Sequence, residues 1–175
     1  TLLFSVPTFY ARMLREGFDP KKLASLRLCI SAGEALPAPI FEEWFQQTRL
    51  QLADGVGSTE FGYCFMTHPP GEAKPGVSGK IVPGYRARLV DPDGNDVPDG
   101  ELGELWLSNH SIASHYWRNP TATKTTFVGE WLRTGDQYVR DSEGYFTYHG
   151  RTNDVFKSSG LWVSPIQVES ALLEH

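Results

Sequence analysis

Cysteine is scarce in this chain of 175 residues, which has only Cys29 and Cys64. They lie far apart, with no C-x-x-C and no histidine beside them, so a reduced, cytoplasmic protein fits better than a zinc site or a disulfide framework. Long apolar runs are also lacking. No stretch approaches the length that spans a bilayer, and no signal-peptide pattern opens the chain. Positive charge is in the minority: 16 Lys and Arg against 21 Asp and Glu give a net charge of −5. That balance argues against a nucleic acid or an anionic membrane surface as partner. His68, His110, His115, His149 and His175 show no metal-ligand spacing and are read as surface or packing residues. Ser58, Ser158 and Ser159 lack the G-x-S-x-G elbow of a serine hydrolase. Asp91 to Asp96 carries its glycine at the fourth position between strand-like flanks, so it reads as a hairpin turn and not a calcium loop.

What is present is an ordinary globular composition, 40% apolar and 21% charged. Five Trp and ten Phe imply a dense aromatic core or an apolar ligand pocket. The length suggests one domain or one and a fraction. Position 1 is Thr, and Thr1 to Phe4 already reads as the middle of an element. Val168 to His175 looks like the first turns of a helix, so the reading is of a partial chain.

Pro7 and Thr8 start a helix through Phe9 to Arg15 that ends at Gly17, and Asp19-Pro20 caps a shorter segment to Ser25. Leu26 to Ile30 alternates as a strand, and Ser31 to Ala35 follows as a tight loop. Pro37 and Pro39 open a helix whose Phe41, Trp44, Phe45 and Thr48 share one face by their spacing. Leu50 to Ala53 is a second strand, followed by a Gly-rich loop, Asp54 to Glu60. Strand, helix, strand in this order predicts a parallel pair with a right-handed crossover. The loops after both strands then open at the same sheet edge, where ligands of open α/β sheets bind. From about Pro69 the character changes to short glycine-punctuated runs. Strands are expected at Tyr85 to Val90, Glu104 to Leu107, Trp131 to Arg133, Gln137 to Val139 and Tyr145 to Tyr148, with turns at Asp91 to Asn95, Pro98 to Gly100 and Asp141 to Gly144. The expected fold is mixed α/β: a parallel βαβ portion over 1–75, a small antiparallel β-subdomain over 76–150, and a joint over 151–175 that opens a further domain.

Three places carry candidate chemistry. In Gly55-Val56-Gly57-Ser58-Thr59-Glu60, backbone N–H groups of a loosened loop can approach a phosphate, the Thr59 hydroxyl can donate to it, and Glu60 can hold Mg2+. No Gly-Lys-Ser/Thr follows, so it is not a Walker loop, and a plain strand-to-helix turn is the alternative. Asp136, after a tight Thr134-Gly135 turn, could take a ribose diol with Arg151 as the matching donor, or could simply form the turn. Residues 150–169 put a cation, small polar residues and a Ser-Ser-Gly turn ahead of a proline, the pattern of a flexible joint.

Taken together, these residues resemble the adenylate-forming superfamily of acyl-CoA synthetases, peptide-synthetase adenylation domains and firefly-type luciferases. Gly57 to Glu60 is similar to its Tyr-Gly-x-Thr-Glu motif, Gly103 to Leu105 to its Gly-Glu-Leu, and Tyr116 to Thr123 to its Tyr-x-x-x-Pro-x-x-Thr. Arg133 to Asp136 resembles its Arg/Lys-Thr-Gly-Asp, and Gly150 to Glu169 its domain joint. Ser31 to Pro37 and Asp54 to Glu60 most resemble benzoate-CoA ligase and its aryl-acid relatives. The resemblance implies that a carboxylic acid attacks the ATP α-phosphate to give an acyl-adenylate, after which CoA displaces AMP.

It further implies roles. Gly33, Glu34 and Ala35, with Asp54, Gly55 and Val56, would flank adenine. Gly57, Ser58 and Thr59 would line the phosphate, with Thr59 on the α-phosphate and Glu60 on Mg2+. Asp136 and Arg151 would hold the ribose, Gly57 and Tyr63 the acid, Asn153 the hinge, and Ser158, Ser159 and Gly160 the CoA channel. Val56 stands where the superfamily usually has Tyr, and Asn153 where the hinge Asp is usual. Tyr63 stands where benzoate enzymes are expected to carry histidine, which leaves the acid open. The superfamily's Ser/Thr/Gly-rich phosphate loop and late lysine are not in this sequence, so the chain by itself is expected not to complete adenylation. An adenylation domain that loads a carrier protein, and a non-catalytic segment that binds nucleotide or a partner, remain alternatives, and a homodimer stays open.

Overall fold

The computed structural model describes residues 1–154, 156–158, 161–163 and 168. They fall into two units, Thr1–Thr59 with Tyr63–Val82, and Glu60–Gly62 with the described residues from Pro83 onward.

The first unit is a five-stranded mixed sheet with helices. Strand β1, Leu2–Ser5, stops at Val6-Pro7, where proline's fixed φ opens helix α1, Pro7–Glu16. Gly17 ends it at φ 76°, the left-handed region glycine enters without a Cβ clash. Asp19 then accepts the Lys21 N–H at 3.0 Å to cap a 3-10 turn, Pro20–Leu23. Strand β2, Leu28–Ala32, helix α2, Ala38–Thr48, and strand β3, Leu52–Gly57, complete the predicted unit, and β1, β2 and β3 are parallel. Strands β4, Cys64–Thr67, and β5, Lys80–Ile81, extend the sheet antiparallel in the order β1-β2-β3-β4-β5.

Both central strands run later than their sequence patterns suggest. Leu26 is spent on a turn, its N–H donating to Leu23 C=O, and pairing starts where Leu28 meets Leu2. The core of this unit is Tyr10, Leu14, Cys29, Phe41, Trp44 and Leu52. The Tyr10 ring meets Trp44 edge-on at 4.9 Å, and its hydroxyl reaches the carbonyls of Leu3 and Ile30, tying α1 to β1 and β2. Each such aromatic side chain taken out of water stabilises the unit by roughly 1.5–3 kcal/mol. Phe45 does not share the buried face of α2 with Phe41 and Trp44, as its spacing suggested. One residue on from Trp44 is about 100° round the helix, and Phe45 ends exposed at the rim.

The second unit is an antiparallel sheet. Strands β6, Arg86–Val90, and β7, Leu102–Ser108, pair through the Asp91 to Asn95 turn, where Asp91 Oδ1 accepts the N–H groups of Asp93 and Asn95 at 2.9 Å. Helix α3, Pro120–Thr126, was not anticipated; Asn119 caps it by accepting the Ala122 N–H, and Pro120 fills its first position. Strands β8, Phe127–Val128, β9, Trp131–Arg140, and β10, Phe146–Arg151, follow, with sheet order β10-β9-β7-β6 and β8 against β9. The two strands expected at Trp131 to Arg133 and Gln137 to Val139 are therefore one. Its ladder slips where Glu104 and Trp106 face it, and Gly135 turns through φ 73°. Last, β11, Phe156–Ser158, and β12, Leu161–Val163, pair antiparallel. Among the described residues, no helix is long and apolar enough to cross a membrane.

Candidate functional site

In the first unit, the parallel register Ser31↔Asp54 and Ala32↔Gly55 brings the ends of β2 and β3 side by side. Exposed Gly33, Glu34 and Ala35 leave β2 at the edge where β3 runs out into Ser58 and Thr59, as the crossover argument requires. The Gly-rich segment corrects one expectation. Asp54 to Gly57 is not a loop but the last four residues of β3, with β2 on one side and β4 on the other. Its glycines answer to crowding. A Cβ on Gly55 would come 3.1 Å from the Ile30 Cγ2, and one on Gly57 would lie 2.5 Å from the Tyr63 carbonyl oxygen. Gly57 and Tyr63 are thus neighbours through the backbone, while the Tyr63 ring is 62% exposed and 6.1 Å from Phe4. Phe65 is core in this unit, as Phe61 is in the second unit, where it packs on Tyr85.

Asp54 is buried, with 3% of its surface exposed. Its N–H donates to His68 Nδ1 at 3.2 Å and its carbonyl accepts the Thr67 hydroxyl at 2.7 Å, so the backbone is fixed on both sides. Burial drives its carboxyl up to about 7, against the pull of the Leu36 and Gly55 N–H groups and the Ser78 hydroxyl. Its Oδ1, together with the hydroxyls of Ser31 and Ser58, is buried with no hydrogen-bond partner among the described residues. Orphaned polar atoms of this kind suit a polar ligand at the strand ends. His68, read as a packing residue, is buried, and burial lowers its pKa toward the neutral ring. Both cysteines are free thiols, with burial pushing the pKa of each up.

In the second unit, Asp136 and Arg151 face each other across β9 and β10, and Arg151 Nη1 reaches Asp136 Oδ1 at 3.0 Å. The same Nη1 donates to Thr134 C=O at 2.9 Å, so the guanidinium is tied to backbone as well as to carboxylate. Asp136 sits within a strand and not after a turn, but Gly135 still supplies the kink. The Asp136 N–H donates to the Thr134 hydroxyl, which in turn donates to Leu105 C=O. Burial raises the Asp136 pKa, with Arg151 and the Tyr148 hydroxyl working against it. Tyr148 escaped the sequence reading. It stands on the neighbouring strand, and burial beside the Asp136 charge pushes its phenol up to about 12, so it stays a donor. The only signal for it was its alternation with Phe146.

The motifs Gly103-Glu104-Leu105 and Arg133-Thr134-Gly135-Asp136 prove to be one assembly. Arg133 binds buried Glu104 through two N–H···O contacts at 3.2 and 2.7 Å and lies over the Trp106 ring. Gly103 is needed because a Cβ there would press on the Val97 side chain at 2.8 Å and the Val90 nitrogen at 2.9 Å.

Glu60 lies in a 3-10 turn, Thr59–Phe61, and belongs to the second unit. The Tyr116 hydroxyl donates to its Oε1 at 2.6 Å, and its carbonyl accepts the Ala113 N–H at 2.7 Å. Burial, then the Glu60 charge, raises the Tyr116 pKa. No group of three or more His, Cys, Asp or Glu among the described residues forms a cation cage. A single hard carboxylate nevertheless fits Mg2+ that arrives on a polyphosphate, since that ion keeps its waters and takes one or two protein oxygens. Asn153 is exposed in a turn closed by the Asp154 N–H on Arg151 C=O at 2.9 Å. Ser158 ends β11 and is exposed; Ser159, Gly160 and the helix expected over Val168 to His175 lie outside the described residues, apart from Val168, which is helical.

Residues 1–117 match the profile of a family described as AMP-binding enzymes. The chain is 51% identical to the 4-hydroxybenzoate–CoA/benzoate–CoA ligase of Rhodopseudomonas palustris over 100% of its own length and 33% of that protein. It is 47% identical to the benzoate–CoA ligase of Thauera aromatica, covering 99% of this chain and 33% of that one. Among solved structures it is similar to the anthranilate CoA ligase AuaEII in complex with anthranoyl-AMP, with a TM-score of 0.93 at 44% identity, over 100% of this chain and 34% of that chain. A benzoate CoA ligase from Burkholderia xenovorans LB400 gives a TM-score of 0.91 at 41% identity, over 100% of this chain and 35% of that one. The chain spans about a third of the length of the curated relatives it matches. A family match over more than half the chain leads to one conclusion: the chain belongs to the AMP-binding enzyme family.

Proposed function

We propose that this chain is part of an AMP-forming acid–CoA ligase that activates an aryl carboxylic acid. The observation that carries the reading is its likeness, over its whole length and not over a nucleotide motif alone, to ligases named for benzoate, hydroxybenzoate and anthranilate. In the first half-reaction an acid oxygen attacks the α-phosphorus of ATP and pyrophosphate leaves. In the second, the CoA thiolate attacks the acyl carbon and AMP leaves. Acid and phosphate are both anions, so the protein's task is mostly alignment and neutralisation of charge.

The roles proposed are those that the resemblance implies. Asp136, braced by Arg151 and the Tyr148 hydroxyl, accepts the two ribose hydroxyls. Gly33, Glu34 and Ala35, with Asp54 to Val56, flank adenine, whose face meets aliphatic Val56. Gly57, Ser58 and Thr59 line the α-phosphate, and Gly57 and Tyr63 border the acid. Glu60 holds Mg2+, which neutralises polyphosphate charge when bound. In domain terms, 1–75 and 76–150 are parts of the large nucleotide-binding region, and 151–175 opens the mobile domain, with Asn153 as hinge and Ser158, Ser159 and Gly160 toward the CoA channel. The compartment proposed is the cytoplasm.

The deciding experiment is pyrophosphate release by the full-length ligase carrying this chain, over aryl, alicyclic and aliphatic acids, with and without CoA. Release driven by aryl acids, with a thioester formed only when CoA is present, is expected. Release without thioester would move the acceptor to a carrier protein, and no acid-dependent release would end the ligase reading.

A further inference from the structure

Glu60 is the site carboxylate whose orientation is most heavily built. Its partner Tyr116 is itself fixed at three points. Its N–H donates to the Thr123 hydroxyl at 3.0 Å, and that hydroxyl donates onward to Asn119 C=O at 2.8 Å. Asn119 caps α3 through the Ala122 N–H, Pro120 starts the helix, and the Tyr116 ring packs edge-on against Phe127 at 5.5 Å. The spacing Tyr-x-x-x-Pro-x-x-Thr therefore has a geometric cause. One helical turn after the cap, Thr123 folds back to hold the backbone of Tyr116. The chain of contacts ends in the 2.6 Å bond from the Tyr116 hydroxyl to Glu60 Oε1, between residues 56 positions apart.

We infer that Tyr116 is a positioning residue that sets the orientation of the Glu60 carboxylate toward the divalent cation carried by the nucleotide triphosphate. The inference rests on the ligase reading above. A phenol-to-carboxylate bond of this length is charge-assisted and among the stronger hydrogen bonds of a protein. The terminal torsion of a glutamate is otherwise broad, whereas Mg2+ tolerates little departure from octahedral geometry. A carboxylate turned even modestly loses the cation, while AMP, with no β- or γ-phosphate to bring the ion, is indifferent.

The test uses the full-length ligase carrying this chain and Tyr116→Phe, which keeps the ring against Phe127 and removes only the hydroxyl. Calorimetry measures the dissociation constant of a non-hydrolysable ATP analogue with and without Mg2+, and that of AMP. The Mg2+-dependent tightening is expected to fall by roughly tenfold, the low end of what a hydrogen bond to a charged group contributes, with AMP affinity unchanged. Thr123→Val, which loosens Tyr116 without touching Glu60, should give a smaller loss of the same kind. Unchanged tightening in Tyr116→Phe, or equal loss for AMP and the analogue, overturns the inference and leaves the ligase reading standing. Failure of the unsubstituted protein to bind either nucleotide overturns both.

Discussion

Asp54 shows how much a single carboxylate can depend on its surroundings. Its ordinary value of 3.8 rises to about 7 because burial penalises the charge more than its donors repay it. A carboxyl whose folded-state pKa is raised binds its proton more tightly when folded. Its contribution is therefore complete below pH 4, is lost as pH rises toward 7, and stays lost above. At 1.36 kcal/mol per pKa unit, that slope amounts to about 4 kcal/mol at most. Asp54→Asn in the full-length protein should flatten this part of the stability curve. The check is the difference between parent and variant in thermal or denaturant stability from pH 4 to 8, which cancels the exposed acids. Parallel curves would mean that Asp54 is not the group responsible.

At the scale of elements, the antiparallel sheet is held in register by the Glu104–Arg133 fork. Glu104 lies on β7 and Arg133 on β9, where the ladder between the two strands slips. The Glu104 side chain is only 9% exposed, whereas that of Arg133 is 40% exposed, so solvent already screens part of the pair. Arg133→Ala leaves a buried charge without its partner, and a loss of about 1–3 kcal/mol is expected, below the full cost of breaking a wholly buried pair. A double-mutant cycle with Glu104→Gln measures it: the double variant should lose less than the two singles together. Strict additivity would show that the fork does not couple the strands. If Asp136 holds the ribose as proposed, a slip here should also raise the KM for ATP, because Asp136 follows Arg133 on the same strand.

At the scale of the whole molecule, the described chain is two units, and the second ends in a turn and a short antiparallel pair of strands. The turn closes through the Asp154 N–H on Arg151 C=O, which places Asn153 at its third position, a place proline disfavours because it forces the preceding residue out of the helical region. If Asn153 is the hinge, Asn153→Pro in the full-length ligase should spare acyl-adenylate formation and stop thioester formation. The two half-reactions, followed separately as pyrophosphate release and CoA ester, decide it. Equal loss of both would remove Asn153 from the hinge.

The sequence by itself determined the parallel strand–helix–strand portion, the chemistry of the turns and the family. Pro7 and Pro20 open helical segments, Asp91 and Asp141 close turns through their own side chains, and strand, helix, strand forces β2 and β3 parallel. These are local effects, set by residues a few positions apart. What only the tertiary structure decided is who meets whom. Glycines at 55 and 57 resembled a loop because their crowding comes from Ile30 and Tyr63, outside any local window. Residues 131–140 resembled two strands because Gly135 breaks the pattern, whereas pairing with β7 and β10 carries the strand through. Glu104 with Arg133, Asp136 with Tyr148 and Glu60 with Tyr116 are joined by strand register and by a helix cap, neither of which composition or periodicity encodes.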